Sequence, residues 1–229
     1  MDLNQKLEIT KRNIHSAQKK VGVFNDIEIV AVTKTHPFDV IRKSYEAGFL
    51  SIGENKVQES LGKFESFEKM PNIKKRFIGH LQSNKVNKCL DLFDTIDSVH
   101  SKKLLKRISR ISDSLKKKTQ VLLEINTTGE PQKKGFLPNQ IEEILSCFEY
   151  NKTEIKGLMT MAPYTDNEKE IRKSFSCLRE LKDKINDSLP DKKITTLSMG
   201  MSNDYEIAIE EGSTMIRLGT YLFGKRGNI

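Results

Sequence analysis

The sequence predicts an α/β fold: a single (β/α)8 TIM barrel over residues 1–229, preceded by an extra amino-terminal helix. Three observations support it. Eight apolar, β-branched runs alternate with helical patterns, which is typical of parallel strands joined by helical crossovers. Eight such units fit into 229 residues without a break in composition. The first strand ends in Thr33-Lys34-Thr35 instead of the G-x-G-x-x-G loop of an open doubly wound sheet, the competing architecture.

The elements follow from hydrophobic periodicity. An opening helix is predicted over residues 2–20. The strand candidates, rich in β-branched and apolar residues, lie at 28–34, 49–55, 76–81, 93–99, 120–126, 154–161, 193–200 and 214–220. The helical patterns between them lie at 37–48, 56–69, 83–90, 101–118, 138–150, 167–187 and 203–211, and a short terminal turn follows the last strand. Pro37 suits a first helical turn, where its missing N–H is not required.

Composition narrows the class of protein. Hydrophobic residues make up 36% and charged residues 31% of the chain, as in globular proteins. The charged amino terminus does not resemble a signal peptide, and apolar runs are too short to span a bilayer. We therefore expect a cytoplasmic protein.

The net charge of +8 raises the possibility of an anionic partner. The densest basic run is the predicted helix at 101–118. Its apolar residues share one helical face and are Leu104, Leu105, Ile108, Ile111 and Leu115. We interpret the opposite, basic face as the solvated side of a helix packed on the sheet. Binding to nucleic acid or a membrane is the alternative, although no aromatic platform or nucleic-acid motif supports it.

Cysteines and histidines give no metal signature. The cysteines form no C-x-x-C pair and lie in apolar helical contexts, so we expect Cys89, Cys147 and Cys177 to be buried and inert. The four histidines lie in separate segments without i, i+4 pairing. We therefore predict no metal site.

Polar residues concentrate at the predicted carboxyl ends of the strands, where barrels carry their functional sites. The loops after the last two strands, SMGMSND and RLGT, are rich in Gly, Ser and Thr. Backbone N–H groups and hydroxyls in such loops can hold a phosphate. Lys34 ends a strand that a barrel would bury, where a lowered pKa would favour imine formation with a carbonyl. A lysine that extends to solvent at the rim is the alternative.

A lysine nucleophile facing a phosphate site suggests a phosphorylated aldehyde or ketone, either pyridoxal phosphate (PLP) or the sugar phosphate of a class I aldolase. Six segments, in order along the chain, resemble those of the pyridoxal phosphate homeostasis proteins, which are similar to the amino-terminal barrel of alanine racemase. They are AVTKT at 31–35, GENKVQE at 53–59, FIGHLQSNK at 77–85, GLMTM at 157–161, LSMGMSND at 197–204 and RLGTYLFGKR at 217–226.

The resemblance implies a fold type III PLP barrel with the cofactor linked to Lys34. It implies that three residues hold the phosphate, that Arg217 lies by the pyridine nitrogen and that Asn55 lies near the ring. The phosphate-binding residues are Ser202, Gly219 and Thr220. Lys133 matches a lysine associated with secondary cofactor handling, but the adjacent Lys134 is an equally placed candidate.

The predicted function is intracellular PLP homeostasis and delivery, with the cofactor held as a Schiff base on Lys34 and little or no amino-acid turnover. Arg217 in place of a carboxylate disfavours a protonated pyridine nitrogen, and we expect no second domain to supply an opposing base. We predict no catalytic residue and a monomer whose partners are PLP, PLP-dependent apoenzymes and free amino acids, without nucleic acid or membrane. A racemase-like enzyme is the main alternative, followed by the aldolase.

Overall fold

Eight parallel strands close into a barrel in the computed structural model, which describes residues 1–189, 191 and 193–224. Each strand pairs with its neighbours along the chain, and the last pairs with the first. The strands are β1 (Glu28–Val32), β2 (Ser51–Glu54), β3 (Lys74–Phe77), β4 (Thr95–Val99), β5 (Thr119–Glu124), β6 (Thr153–Met159), β7 (Thr196–Met201) and β8 (Met215–Leu218). The predicted barrel is confirmed. The last two residues of the final resembling segment, 225 and 226, lie outside the described residues.

Helices surround the barrel, and the extra amino-terminal helix is confirmed. The helices are α1 (Leu3–Val21), α2 (Phe38–Glu46), α3 (Val57–Lys63), α4 (Val86–Leu92), α5 (Lys102–Ser114), α6 (Ile141–Ser146), α7 (Glu168–Ser188), α8 (Tyr205–Glu210) and α9 (Thr220–Phe223). Asp2 and Gln5 form a capping box that starts α1. Helix α1 packs on α8, so the added helix covers the part of the barrel next to β7 and β8.

Several predicted boundaries were wrong. Helix α3 ends at Lys63, not at 69, because Phe64 turns into an extended conformation and stacks edge-on against Phe67 and Phe93. Strand β3 starts two residues early and ends at Phe77. Helix α6 covers Ile141–Ser146, followed by a single 3-10 turn. Pro37 precedes α2 as its cap instead of forming its first turn.

The basic segment at 101–118 forms a shorter helix than predicted. Four of its five apolar residues are buried, but α5 ends at Ser114 and leaves Leu115 44% exposed. Lys116 follows with a positive φ of 52°. The outward residues Lys103, Lys106 and Arg110 are exposed. The basic face of α5 is therefore a solvated outer surface of the barrel.

The barrel interior is apolar at its centre and charged towards its amino-terminal end. Val30, Leu122, Met159 and Met215 from four strands form one buried cluster. Below it, Arg76 of β3 donates hydrogen bonds to Glu28 at 2.8 Å and 3.0 Å and to Asp97 at 3.0 Å and 3.2 Å. Burial lowers the pKa of Arg76, but these two carboxylates outweigh it and the net pKa is raised.

Cys89 and Cys147 are buried as predicted, whereas Cys177 is partly exposed on α7. Burial raises the pKa of all three thiols, that of Cys147 to about 12, so they are poor nucleophiles. Across the described residues, no three His, Cys, Asp or Glu side chains come together as a metal-binding group. In the same part of the chain, no helix combines the length and the apolar character that crossing a membrane requires.

Candidate functional site

The six predicted cofactor-binding residues lie at the carboxyl ends of four consecutive strands. The closed barrel places β7, β8, β1 and β2 side by side. The register pairs Ala31 with Leu218 and Val32 with Gly53, so the residues that follow these strands share one rim. They are Lys34 after β1, Asn55 after β2, Ser202 after β7, Arg217 in β8, and Gly219 and Thr220 after β8. Residues far apart in sequence thus meet on half of the barrel mouth.

Lys34 leaves the barrel two residues beyond β1 and is partly buried. The strand before it is buried as predicted, with Val30 and Ala31 at 0% exposure. Thr33 is also fully buried, and the next residue after the lysine, Thr35, adopts a left-handed conformation with φ of 67°. The backbone therefore turns sharply at Lys34, directly after the buried residues of β1 and Thr33.

A buried charged pair behind Lys34 was not predicted. Glu54 at the end of β2 is 0% exposed, and its Oε1 accepts hydrogen bonds from Lys63 Nζ at 2.5 Å and Thr33 Oγ1 at 2.6 Å. Burial raises the pKa of Glu54, while Lys63 and Thr33 oppose the rise. The sequence did carry a signal for this buried carboxyl group, because Glu54 ends the strand SIGE, whose other residues are small or apolar.

Asn55 carries a buried acceptor. Its Oδ1 has no hydrogen-bond partner among the residues that the structure describes. The loop after β3 lies directly against this residue: a Cβ on Gly79 would come within 2.1 Å of the Asn55 carbonyl oxygen. Only glycine allows this close approach, so the sequence packs β2 and β3 tightly around an acceptor that is available to a ligand.

The loops after β7 and β8 are joined by a hydrogen bond. Ser202 Oγ accepts from the backbone N–H of Tyr221 in α9 at 3.1 Å. Gly200 near the end of β7 has a φ of 97°, and a Cβ there would lie 2.7 Å from Ala208 Cβ, so this position requires glycine. Thr220 is exposed and Gly219 is partly exposed at the start of α9. Hydroxyl groups and backbone amides thus gather beside β1, as a phosphate site needs.

Arg217 lies beneath this rim and is fixed in place. Its Nη1 donates to the carbonyl oxygen and hydroxyl of Ser198 at 2.8 Å and 2.7 Å, and its Nη2 donates to the Thr160 carbonyl oxygen at 2.8 Å. Burial lowers the pKa of the guanidinium, whereas Asp204, Asp97 and Glu124 oppose this effect. These bonds use three of the five guanidinium N–H groups.

Glu124 at the end of β5 is a second unpredicted buried carboxyl group. It is 6% exposed, and burial raises its pKa from 4.5 to about 7 despite the attraction of Arg217. The sequence run QVLLEIN gave no sign that this glutamate points inward. A strand of a parallel barrel can be buried on both faces, so its pattern does not show which side chains face the interior.

The raised pKa of Glu124 makes stability dependent on pH. The folded protein binds the Glu124 proton more tightly than the unfolded chain does. The contribution of this proton to the free energy of unfolding is therefore complete below about pH 4.5 and is lost as pH rises through about 7. Between about pH 5 and pH 8, the parent should lose about 2 kcal/mol more unfolding free energy than Glu124→Gln does. Urea unfolding at both pH values measures this. Equal losses in the two proteins would contradict the assignment.

Lys133 and Lys134 lie apart from the six residues, in the loop between β5 and α6. Lys133 Nζ contacts Glu130 Oε1 at 2.6 Å and donates to the Ala162 carbonyl oxygen at 3.0 Å. Lys134 is exposed. Strand β5 stands across the barrel from β1, so the loop that carries both lysines begins on the side of the mouth opposite Lys34.

A groove of about 940 Å³ lies at the opposite, amino-terminal end of the barrel. Residues that precede β1, β7 and β8 line it, among them Asn25, Thr195 and Thr214. That end of a barrel contributes to stability rather than to chemistry. The carboxyl-terminal rim, with an amine, a buried cation and an unsatisfied acceptor, is the candidate site. These residues fit a phosphorylated aldehyde.

Comparisons with known proteins find a matching family and several relatives. The alanine racemase N-terminal domain family matches residues 6–227. Proteins named pyridoxal phosphate homeostasis protein are 37% identical in Aquifex aeolicus, over 99% of both chains, and 34% identical in Pasteurella multocida, over 99% of this chain and 98% of that one.

The similar solved structures include PipY of Synechococcus elongatus with PLP bound, which is 32% identical with a TM-score of 0.83 over 97% of this chain and all of that one. An alanine racemase of Clostridium difficile shares the fold at 18% identity and a TM-score of 0.74, over 98% of this chain and 57% of the racemase. This chain therefore belongs to the family of pyridoxal phosphate homeostasis proteins, built on the alanine racemase amino-terminal barrel.

Proposed function

We propose that this protein binds PLP as a Schiff base on Lys34 and acts, as one barrel domain and a monomer, in the storage and delivery of the cofactor. The observation that carries this proposal is the convergence of Lys34, Asn55, Arg217 and the two Gly/Ser/Thr loops on one rim. The names of the relatives and the PLP-bound PipY structure support the same ligand.

The chain's own residues suit each part of this ligand. The hydroxyls of Ser202 and Thr220 and the amide of Gly219 would hold the phosphate. The unsatisfied Oδ1 of Asn55 is available to a donor on the ring side. When bound, PLP supplies an aldehyde. Lys34 would supply the amine that joins the aldehyde carbon through a C=N bond, with the carbonyl oxygen released as water.

Arg217 argues against efficient amino-acid chemistry. Enzymes that use PLP as an electron sink commonly pair the pyridine nitrogen with a carboxylate, which keeps that nitrogen protonated. A guanidinium can only donate hydrogen bonds, and this one is fixed by Ser198 and Thr160. We therefore infer binding and release with little turnover. A racemase-like activity is the second candidate, favoured by the shared fold with alanine racemase.

Absorbance, labelling and transfer test the proposal together. The protein loaded with PLP should be yellow, and borohydride should fix the cofactor onto a single peptide that contains Lys34. The loaded protein should activate an apo-transaminase while turning over common amino acids far below the range of about 1 to 1,000 per second typical of enzymes. Labelling of another lysine in place of Lys34 would disprove the site, and turnover within that range would favour the racemase-like alternative.

A further inference from the structure

Helix α3 contacts the backbone on both sides of Lys34. Its residues Glu59 and Lys63 are four apart and so lie on the same face of the helix. Lys63 Nζ donates to the Thr33 carbonyl oxygen at 2.7 Å. Glu59 Oε1 accepts from the Thr35 backbone N–H at 2.6 Å. Two oppositely charged side chains thus hold the residues immediately before and after the lysine.

On the strand side, every polar group of Thr33 is bonded. Its N–H donates to the Gly53 carbonyl oxygen at 3.1 Å, and its hydroxyl donates to Glu54 Oε1 at 2.6 Å. Its carbonyl oxygen accepts from Lys63 and from the N–H of His36 at 3.1 Å. Lys63 also forms an ion pair with Glu54, and both side chains are at most 7% exposed. Thr33 is therefore a fixed point from which Lys34 extends.

On the loop side, Thr35 adopts a conformation that a β-branched residue seldom takes. Its φ of 67° lies in the left-handed region, which is unfavourable for threonine. The charge-assisted hydrogen bond to Glu59 offsets this cost. Without that bond, the backbone after Lys34 would relax towards ordinary conformations and the lysine would change direction.

We propose that Glu59 and Lys63 are positioning residues that orient the Lys34 amine for its reaction with the cofactor aldehyde. This inference rests on the proposed function of Lys34. Imine formation requires the amine and the carbonyl carbon to meet in a defined geometry, so a fixed backbone accelerates it. Helix α3 begins two residues after Asn55, so the helix that holds the backbone around Lys34 is also directly connected to strand β2 of the site.

The primary test compares Glu59→Ala with Glu59→Gln, which keeps an acceptor for the Thr35 N–H. Apo-protein is mixed with PLP, and the growth of imine absorbance is followed by stopped flow. Glu59→Ala should form the covalent complex about tenfold more slowly than the parent, as expected for a lost hydrogen bond to a charged group. Glu59→Gln should recover most of this rate. Equal rates in Glu59→Ala and the parent would overturn the proposal.

Lys63→Met tests the other side of the lysine. Its matched control is Lys117→Met, because Lys117 likewise donates to a backbone carbonyl, that of Leu90, but lies at the amino-terminal end of the barrel. Lys63→Met should slow imine formation and Lys117→Met should not. If both slow it equally, the effect is one of general destabilisation and the positioning role of Lys63 is refuted.

A Lys34→Ala background separates positioning from damage to the site. Glu59→Ala should leave non-covalent PLP affinity unchanged in that background, because its effect passes through Lys34. Reduced affinity there would refute the proposal. Borohydride labelling of the parent distinguishes the two levels of inference. If Lys34 is labelled but the α3 variants react normally, only the positioning role fails, whereas labelling elsewhere removes the proposed function and this inference together.

Discussion

Replacing Lys34 with alanine should abolish covalent attachment of PLP and yet leave measurable non-covalent binding. The amine is the only group lost, while the loops after β7 and β8 remain joined through Ser202 and Tyr221. Mass spectrometry after borohydride reduction should find one cofactor on the parent and none on the variant. Fluorescence titration at fixed salt should still show saturable binding. A variant that is labelled as fully as the parent would contradict the assignment.

The double variant Ser202→Ala, Thr220→Ala should bind PLP weakly but still attach it covalently to Lys34. Each lost hydrogen bond to the charged phosphate costs about 1.5 to 3 kcal/mol, so affinity should fall sharply while excess cofactor is still trapped on Lys34. Residual label on Lys133 or Lys134 in Lys34→Ala would instead reveal the second site that the resemblance implies.

Among these variants, Arg76→Met should lower the free energy of unfolding most. Arg76 is 4% exposed and satisfies Asp97, which is 1% exposed, as well as Glu28. Removing the cation leaves a buried carboxylate without its charged partner, which typically costs about 3 to 5 kcal/mol. For a chain of this size, the melting temperature should fall by roughly 6 to 20 °C. Calorimetry or thermal circular dichroism measures the change.

Arg42→Met is the matched control, because Arg42 also pairs with an aspartate but is 52% exposed on the outside of α2. Exposed ion pairs contribute about 0 to 1 kcal/mol, so this variant should melt within a few degrees of the parent. Similar melting temperatures for both arginine variants would mean that the interior network contributes no more than a surface pair does.

The sequence was sufficient for the order of the elements, because strand and helix periodicities alternate clearly and a parallel barrel is the architecture that this alternation and length favour. It also located the polar strand ends. Helix ends were less certain: α5 stops at Ser114 although the apolar spacing continues to Leu115. A hydrophobic pattern indicates which face is buried, but the end of a helix depends on local backbone geometry such as the positive φ of Lys116.

The residues around Lys34 were beyond what the sequence could predict. The sequence assigned no individual role to Glu59 or Lys63, because their contacts depend on how α3 lies over the end of β1. Glu124 occupies a strand position whose inward direction is fixed only by the closed ring of strands. Such side chains act through three-dimensional placement, which residue type and spacing do not encode on their own.

The pairing of β1 with β8 has a consequence for biosynthesis. Val30 pairs with Arg217, so the ring closes only after β8 has left the ribosome. Contacts so distant in sequence form late and slowly. The rim that unites Lys34 with Gly219 does not exist before that step. A ligand that bound across this seam would stabilise the pairing of the first strand with the last, so its binding would report that the barrel has closed.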